Sequence, residues 1–178
     1  MDNKIFVTES FLVETSLNVL YNNTVNGFDT DRAGAANRVQ VVGKDFIASP
    51  DQGLLVCKAR TRSSAKQYET RIAFNGIEYQ GDEDQGGQTT TIQTPDGQEF
   101  TIVPAQYAST DVQVSCSCLD FYYLFAAWNS KDGSLQGNPP PAYVPKTDRE
   151  PRNPQQLPGM CKHLIALSDD LRQQRIVV

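Results

Sequence analysis

The chain has 178 residues, a formal net charge of -5 and a sequence pI near 4.8. This negative charge disfavours non-specific binding to nucleic acid, because a phosphate backbone repels it. Hydrophobic residues make up 39% of the chain, the mean hydropathy is -0.45, and no apolar run is long enough to cross a bilayer. Residues 1–4 do not begin a secretory signal. We therefore expect a soluble protein that is made in the cytosol and has no membrane partner.

Residues 1–111 are predicted to form a β-rich domain. Short apolar or alternating runs, which are typical of strands, recur along this segment. They lie at residues 5–7, 11–13, 38–42, 46–47, 54–60 and 68–74. The Asn, Gly and Asp content of residues 22–29 predicts a loop there, and Pro-Asp-Gln-Gly at 50–53 predicts a turn.

Two dipeptides predict hairpins within this β-rich segment. Asn75-Gly76 favours a tight turn that leads from the strand at 68–74 into residues 77–79. Asp96-Gly97 lies between two Thr-rich, β-prone runs at 89–94 and 98–103 and predicts a second hairpin. The polar, acidic residues 80–88 are predicted to form a flexible surface loop.

One short segment, residues 58–71, is locally basic. Five cations accompany a single acid, Glu69, and they are Lys58, Arg60, Arg62, Lys66 and Arg71. The segment is either a solvated strand face or a docking patch for nucleic acid or protein, and the sequence leaves both open.

The pattern changes to helical after Cys118. Apolar residues at 121, 124, 125 and 128 have the spacing of one helix face, and Asp120 is the predicted N-cap. Residues 133–158 then contain seven of the ten prolines, which predicts an extended excursion lying over the surface.

Three of the four cysteines and the single histidine fall into two short motifs. Cys116 and Cys118 form a CxC, and Cys161 and His163 form a CxH. Residues 112–118 alternate with the period of a strand, so both sulfurs of the CxC can point to one face. Residues 162–171 are predicted to form a helix with Cys161 at its N-terminal edge, where the helix dipole favours a thiolate. These four side chains form a set that Zn2+ can bind tetrahedrally.

Other interpretations of the cysteines remain open at this point. Disulfides could form with Cys57 as the fourth partner, although they would leave the histidine unexplained, and the four residues could also be ordinary core residues. Cys57 lies in an apolar run, which predicts a buried thiol. Four protein ligands would fill the zinc shell and leave no position for water or substrate, so the site is predicted to be structural.

The CxC and CxH motifs resemble the SWIM-type zinc finger. That resemblance implies one zinc on a small β-β-α unit, with Cys116, Cys118, Cys161 and His163 as its ligands. The spacer between the two motifs is longer here than in most SWIM modules, so this unit would be an expanded version.

The last third of the chain also resembles virion structural proteins of tailed bacteriophages. The residues that carry this resemblance are CSCLDF at 116–121 and NPQQLPGMCKHL at 153–164. It implies a virion location after synthesis in the host cytoplasm, as a tail, neck or baseplate component. The partners would be other virion structural proteins, in multiple copies.

The sequence as a whole predicts an α+β fold: an antiparallel β-rich body at 1–111, then a SWIM-like zinc module at 112–178 with two helices around the excursion at 133–158. Loss of a ligand is predicted to unfold the second segment and leave the first folded. No enzymatic activity is expected, because the single histidine is assigned to zinc and no P-loop or GxSxG motif is present. The alternative function is nucleic-acid or protein binding by the SWIM-like module.

Overall fold

The computed structural model describes residues 14–81, 87–141, 148 and 150–178, and within them the predicted α+β fold is confirmed. The described helices are α1 Leu17–Gly27, α2 Arg32–Ala36, α3 Leu119–Leu124, α4 Ala126–Asp132 and α5 Lys162–Gln173. The described strands are β1 Gln40–Ser49, β2 Leu54–Ser63, β3 Lys66–Phe74, β4 Tyr79–Gln80, β5 Thr90–Gln93, β6 Glu99–Ile102 and β7 Val112–Cys116.

The main sheet is antiparallel and has the strand order β1-β2-β3-β7. One face is apolar and buried, with Cys57, Ile72 and Val114 side by side in register. The helix α5 contacts all four strands of this sheet and covers that face. The boundary predicted at residue 112 falls at the start of β7, which pairs with β3 from Phe74↔Val112 to Thr70↔Cys116. The strand that carries Cys116 is therefore part of the same sheet as residues from the N-terminal segment.

A second, smaller antiparallel sheet has the order β4-β6-β5. The predicted Asp96-Gly97 hairpin is confirmed, since β5 pairs with β6 and Gly97 has a φ of 86°. The hairpin predicted at Asn75-Gly76 is wrong. The chain does turn at Gly76 (φ 71°), but β4 pairs with β6 because β2 and β7 already occupy both sides of β3.

The loop predicted at residues 22–29 is also wrong, because α1 extends from Leu17 to Gly27. Ser16 caps this helix by accepting a hydrogen bond from the Val19 N–H, and Leu17, Leu20 and Thr24 are buried along one side. Tertiary packing therefore overrides the weak helix propensity of the asparagines. The predicted strand runs at 5–7 and 11–13, much of the acidic loop and part of the proline-rich excursion lie outside the described residues.

The helix predicted after Cys118 is divided into α3 and α4 at Phe125, whose φ and ψ are -116° and -37°. After this interruption a different side of the helix faces the core, so that Asn129 is fully buried and Trp128 is only half-buried. The predicted capping role of Asp120 is wrong. The Cys118 sulfur caps α3, and Asp120 instead forms an ion pair with the buried Arg32 at 2.9 Å.

Candidate metal centre

The four predicted ligands come from three elements, β7, α3 and α5, which meet at one end of the main sheet. Cys116 ends β7 on the buried face, and Cys118 follows as the N-cap of α3. Cys161 is the N-cap of α5, and His163 lies in its first turn. Their exposed fractions are 8%, 3%, 0% and 3%, in chain order. The structure therefore brings together every residue of the predicted set in a buried position.

The separations of the donor atoms suit a shared ion. One ligand atom from each of the four residues lies within 4.8 Å of the others. The Nδ1 atom of His163 lies 4.0 Å from the Cys116 sulfur and 3.9 Å from the Cys161 sulfur. Tetrahedral zinc, with bonds of about 2.3 Å to sulfur and about 2.0 Å to nitrogen, separates such donors by about 3.5 Å. The four side chains could hold a metal ion with small movements.

Helix termini support negative charge on two of the sulfurs. The Phe121 N–H donates a hydrogen bond to the Cys118 sulfur over 3.4 Å. Cys161 lies at the N-terminus of α5, a helix of 12 residues whose dipole is positive at that end. Both effects favour a thiolate, which is the form of cysteine that binds a metal, although at Cys161 burial acts in the opposite direction and raises the pKa.

The three thiols also affect one another's pKa. Hydrogen bonds from Cys116 and Cys161 lower the pKa of Cys118 far below its usual range. The hydrogen bond with Cys118 raises the pKa of Cys116, and burial raises the pKa of Cys161. The cluster therefore concentrates negative charge at Cys118 in a buried place, where a cation would compensate it.

The ring of Tyr68 covers the histidine. The two ring centroids are 4.4 Å apart and the rings are tilted by 40°. Because Nδ1 of His163 faces the sulfurs, Nε2 is the nitrogen that would carry the proton. This Nε2 atom is buried and has no hydrogen-bond partner in the described part of the chain. Tyr68 restricts the orientation of the imidazole in place of that hydrogen bond.

A buried polar network positions the segment that leads into Cys161. The side chain of Asn129 exchanges two hydrogen bonds with the backbone of Gly159, over 2.9 and 3.2 Å. The Met160 N–H donates to Thr24 Oγ1 over 2.8 Å, and Asn153 bonds Leu124 and Leu157. None of these positioning residues is predicted from the sequence. The only available signal was a polar residue beside the predicted apolar face of α4.

Cys57 lies apart from the cluster, as predicted. Its side chain is fully buried on β2, and burial raises its pKa to about 12. All four cysteines are free thiols, so the structure contains none of the disulfides considered above.

Comparisons with protein-family models, with curated proteins and with solved structures found no match. Within the described ranges, none of the helices has the length and apolar character needed to span a membrane. The fold and the site thus define an α+β protein with a buried Cys3His cluster that could hold a metal ion.

Proposed function

We propose that this protein is a non-enzymatic structural protein of a tailed-bacteriophage virion, stabilised by one structural Zn2+. The observation that carries the proposal is the closed and buried set of Cys116, Cys118, Cys161 and His163. Three thiolates and one imidazole are a donor set that zinc binds in structural sites, whereas magnesium and calcium prefer oxygen donors. Four protein ligands leave no coordination position for water or substrate, which favours a structural over a catalytic ion.

The position of the cluster supports a stapling role for the ion. It would connect the end of β7 to the start of α5, the helix that covers the main sheet. The intervening chain is rich in proline, and closing this long connection has an entropic cost. A zinc ion bound at both ends would offset that cost, since structural zinc binding in small modules contributes about 10 kcal/mol or more near neutral pH.

Metal identity is tested by native mass spectrometry of the purified protein, followed by X-ray absorption at the zinc edge. We expect one zinc per chain with three sulfur ligands and one nitrogen ligand. Cys161→Ser should lose the ion and Cys57→Ala should keep it. Absence of metal, or equal occupancy in Cys161→Ser, would contradict the zinc site.

The virion assignment rests on the resemblance of the motifs around the cluster to tailed-phage structural proteins. Exposed apolar side chains on α3 also provide contact area for neighbouring subunits, since Leu119 is 69% exposed and Tyr122 is 42% exposed. The partners would be other virion proteins, present in several copies as part of the tail, neck or baseplate. The host cytoplasm would be the place of synthesis.

The virion assignment is tested on particles purified by density gradient from a phage that encodes the chain. Quantitative mass spectrometry should find the protein in intact particles at a constant copy number, with antibody labelling in the tail or at the neck. Its recovery only in the soluble fraction of the lysate would exclude a virion component.

A second candidate, nucleic-acid binding, is favoured by the outer face of the main sheet. Lys58, Arg60 and Arg62 alternate along β2 with buried residues, and Arg71 lies opposite Lys58 on β3. The acids on this face are Asp45, opposite Lys58 on β1, and Glu69, opposite Arg60. The four cations therefore exceed the neighbouring acids, although the chain as a whole is acidic.

Fluorescence anisotropy with labelled single-stranded and duplex DNA, at two salt concentrations, separates the two functions. The virion proposal predicts no binding at physiological salt. Binding that weakens steeply with salt, and that is lost in Arg60→Glu/Arg62→Glu, would favour the nucleic-acid function. Lys131→Glu on α4 is the matched control for the change of charge.

A further inference from the structure

Charge is distributed unevenly along the chain. Residues 72–130 contain eight acidic residues and no lysine or arginine. Residues 32–71, directly before them, contain eight lysines and arginines and only three acidic residues. Charges of one sign create a strong local field where the fold also keeps them together at the surface. The positions of these side chains in the structure therefore decide what they can attract.

Unpaired cations lie at one end of the main sheet, where β2 turns into β3. Arg60, Arg62 and Lys66 are exposed there, and none of them forms an ion pair within the described ranges. Glu69 lies opposite Arg60, but it pairs with Arg71 at 3.3 Å. The three unpaired cations form the basic end of the sheet.

Unpaired acids lie at the other end of the main sheet, where the small sheet is attached. The Ile77 N–H donates to the Gly53 carbonyl over 2.8 Å. The Tyr79 hydroxyl donates to the Leu54 carbonyl over 2.6 Å, so the small sheet starts beside the first residue of β2. Exposed carboxylates at this junction and on the small sheet form no ion pair among the described residues, and they make up the acidic end: Asp51, Glu78, Asp96 and Glu99.

The two ends are too far apart to neutralise each other within one copy. Leu54 lies at the acidic end of β2 and Arg62 at its basic end. They are about 26 Å apart, since a strand rises about 3.3 Å per residue. Attraction between exposed charges decays over about 8 Å at physiological ionic strength. Each end can therefore attract a surface of opposite charge on another molecule.

We propose that copies of this protein associate head to tail, with the basic end of one copy against the acidic end of the next. Every copy carries both surfaces at opposite ends of β2. A contact between two unlike surfaces repeats along a row of copies or closes into a ring. Complementary charge selects the partner and fixes its orientation. This association goes beyond the proposed function and depends on neither the zinc ion nor the virion assignment.

Nucleic acid fits the basic end less well than a second copy does. A single strand binds through base stacking on aromatic side chains as well as through its phosphates, and the acidic end repels phosphate. The outer face of the main sheet beside Arg60 has no aromatic side chain on its described strands. Its other members on β1, β3 and β7 are Gly43, Asp45, Ile47, Glu69, Arg71, Ala73, Gln113 and Ser115.

The test is sedimentation velocity of the full-length, metal-loaded protein, at concentrations up to its solubility limit, in about 50 mM and about 500 mM NaCl. At low salt the wild type should sediment as a species heavier than the 19.7 kDa chain, and at high salt it should return to the monomer. A wild type that stays monomeric at low salt, or that associates equally at both salt concentrations, would overturn the proposal.

Reversal of charge at either end supplies matched variants. Arg60→Glu/Arg62→Glu reverses the basic end, and Glu78→Lys/Glu99→Lys reverses the acidic end. Each variant alone should be monomeric at low salt, because its two ends then repel those of its own copies. An equimolar mixture of the two should associate again, since every end meets an opposite charge on the other variant. A mixture that stays monomeric would overturn the proposal.

The control is Lys131→Glu/Arg175→Glu, which changes the net charge as much as Arg60→Glu/Arg62→Glu does, at exposed positions outside both ends. This variant should still associate at low salt. Equal association of the two charge-reversed proteins would contradict the role of the basic end. Labelled single-stranded DNA bound by a monomeric wild type would assign the cations to nucleic acid instead. Native mass spectrometry of each sample measures zinc, so failure of the metal site is recognised separately.

Discussion

Asn129 and Gly159 exchange two hydrogen bonds in the interior of the protein. The Gly159 N–H donates to Asn129 Oδ1 over 2.9 Å, and Asn129 Nδ2 donates to the Gly159 carbonyl over 3.2 Å. This contact joins α4 to the residues directly before Cys161. The Asn129 side chain thereby positions the segment that leads into the second ligand motif, at Gly159, which lies 30 residues further along the chain.

Asn129→Ala should destabilise the protein by about 2–3 kcal/mol, because it leaves a buried N–H and a buried carbonyl without partners. Urea unfolding gives the free energy, and competition with a chromogenic chelator gives the zinc affinity, which should fall as well. Asn22→Ala is the control, since the Asn22 side chain bonds Asn18 on the exposed side of α1. We expect a change of less than about 0.5 kcal/mol for that variant. Equal effects of the two substitutions would contradict the positioning role of Asn129.

Gly159→Ala should also disturb the site, for a steric reason. A Cβ at this position would lie 2.6 Å from Cε1 of Phe125 and 2.7 Å from Oγ1 of Thr24, both of which are buried. The segment before Cys161 must then move, and we expect a loss of about 1–3 kcal/mol together with weaker zinc binding. A Cβ at Gly81 would meet no atom within 4 Å, so Gly81→Ala is the matched control. Thermal unfolding followed by circular dichroism compares the two variants. A Gly159→Ala protein with the unfolding temperature of the wild type would contradict the close approach of Gly159 to Phe125 and Thr24.

With the proposed zinc at the cluster, His163→Ala and Cys116→Ser should each abolish stoichiometric binding of the metal and destabilise the whole main sheet. The sequence alone predicts loss of the C-terminal segment only. The structure changes that expectation, because β7 is a strand of the main sheet and α5 covers its buried face. Native mass spectrometry measures the zinc, and amide hydrogen exchange measures protection in β2 and β3. Retained protection in these strands without zinc would support local rather than sheet-wide unfolding.

Cys57 should resist alkylation in the folded protein at pH 8. Burial raises its pKa to about 12, so the thiolate that reacts with iodoacetamide is scarce at that pH. The folded state also keeps this proton to higher pH than the unfolded state does. The resulting stability is complete below pH 9 and declines as the pH rises from about 9 to about 12. Mass spectrometry should find Cys57 alkylated in urea and unmodified without urea. Equal rates of alkylation in the two conditions would contradict the raised pKa of Cys57.

Local patterns were sufficient to predict several elements. The Asp96-Gly97 hairpin is confirmed, and so is the helix that starts at Lys162 with Cys161 at its cap. These features depend on turn chemistry and on the periodicity of neighbouring residues. The grouping of Cys116, Cys118, Cys161 and His163 was also predictable, because two close pairs of donor side chains have few other physical reasons to occur together.

Contacts between distant residues decided the rest. The helix at Leu17–Gly27 replaces a predicted loop because Leu17 and Leu20 are buried in the core and Thr24 hydrogen-bonds Met160, 136 residues away. The interruption at Phe125 places Asn129 in the interior, and Asp120 pairs with Arg32, 88 residues away. The sequence by itself determined the donor set and the α+β class, since both follow from residue type and spacing. Only the tertiary structure decided that the site belongs to the main sheet, because pairing of β7 with β3 and burial under α5 depend on the packing of the whole chain.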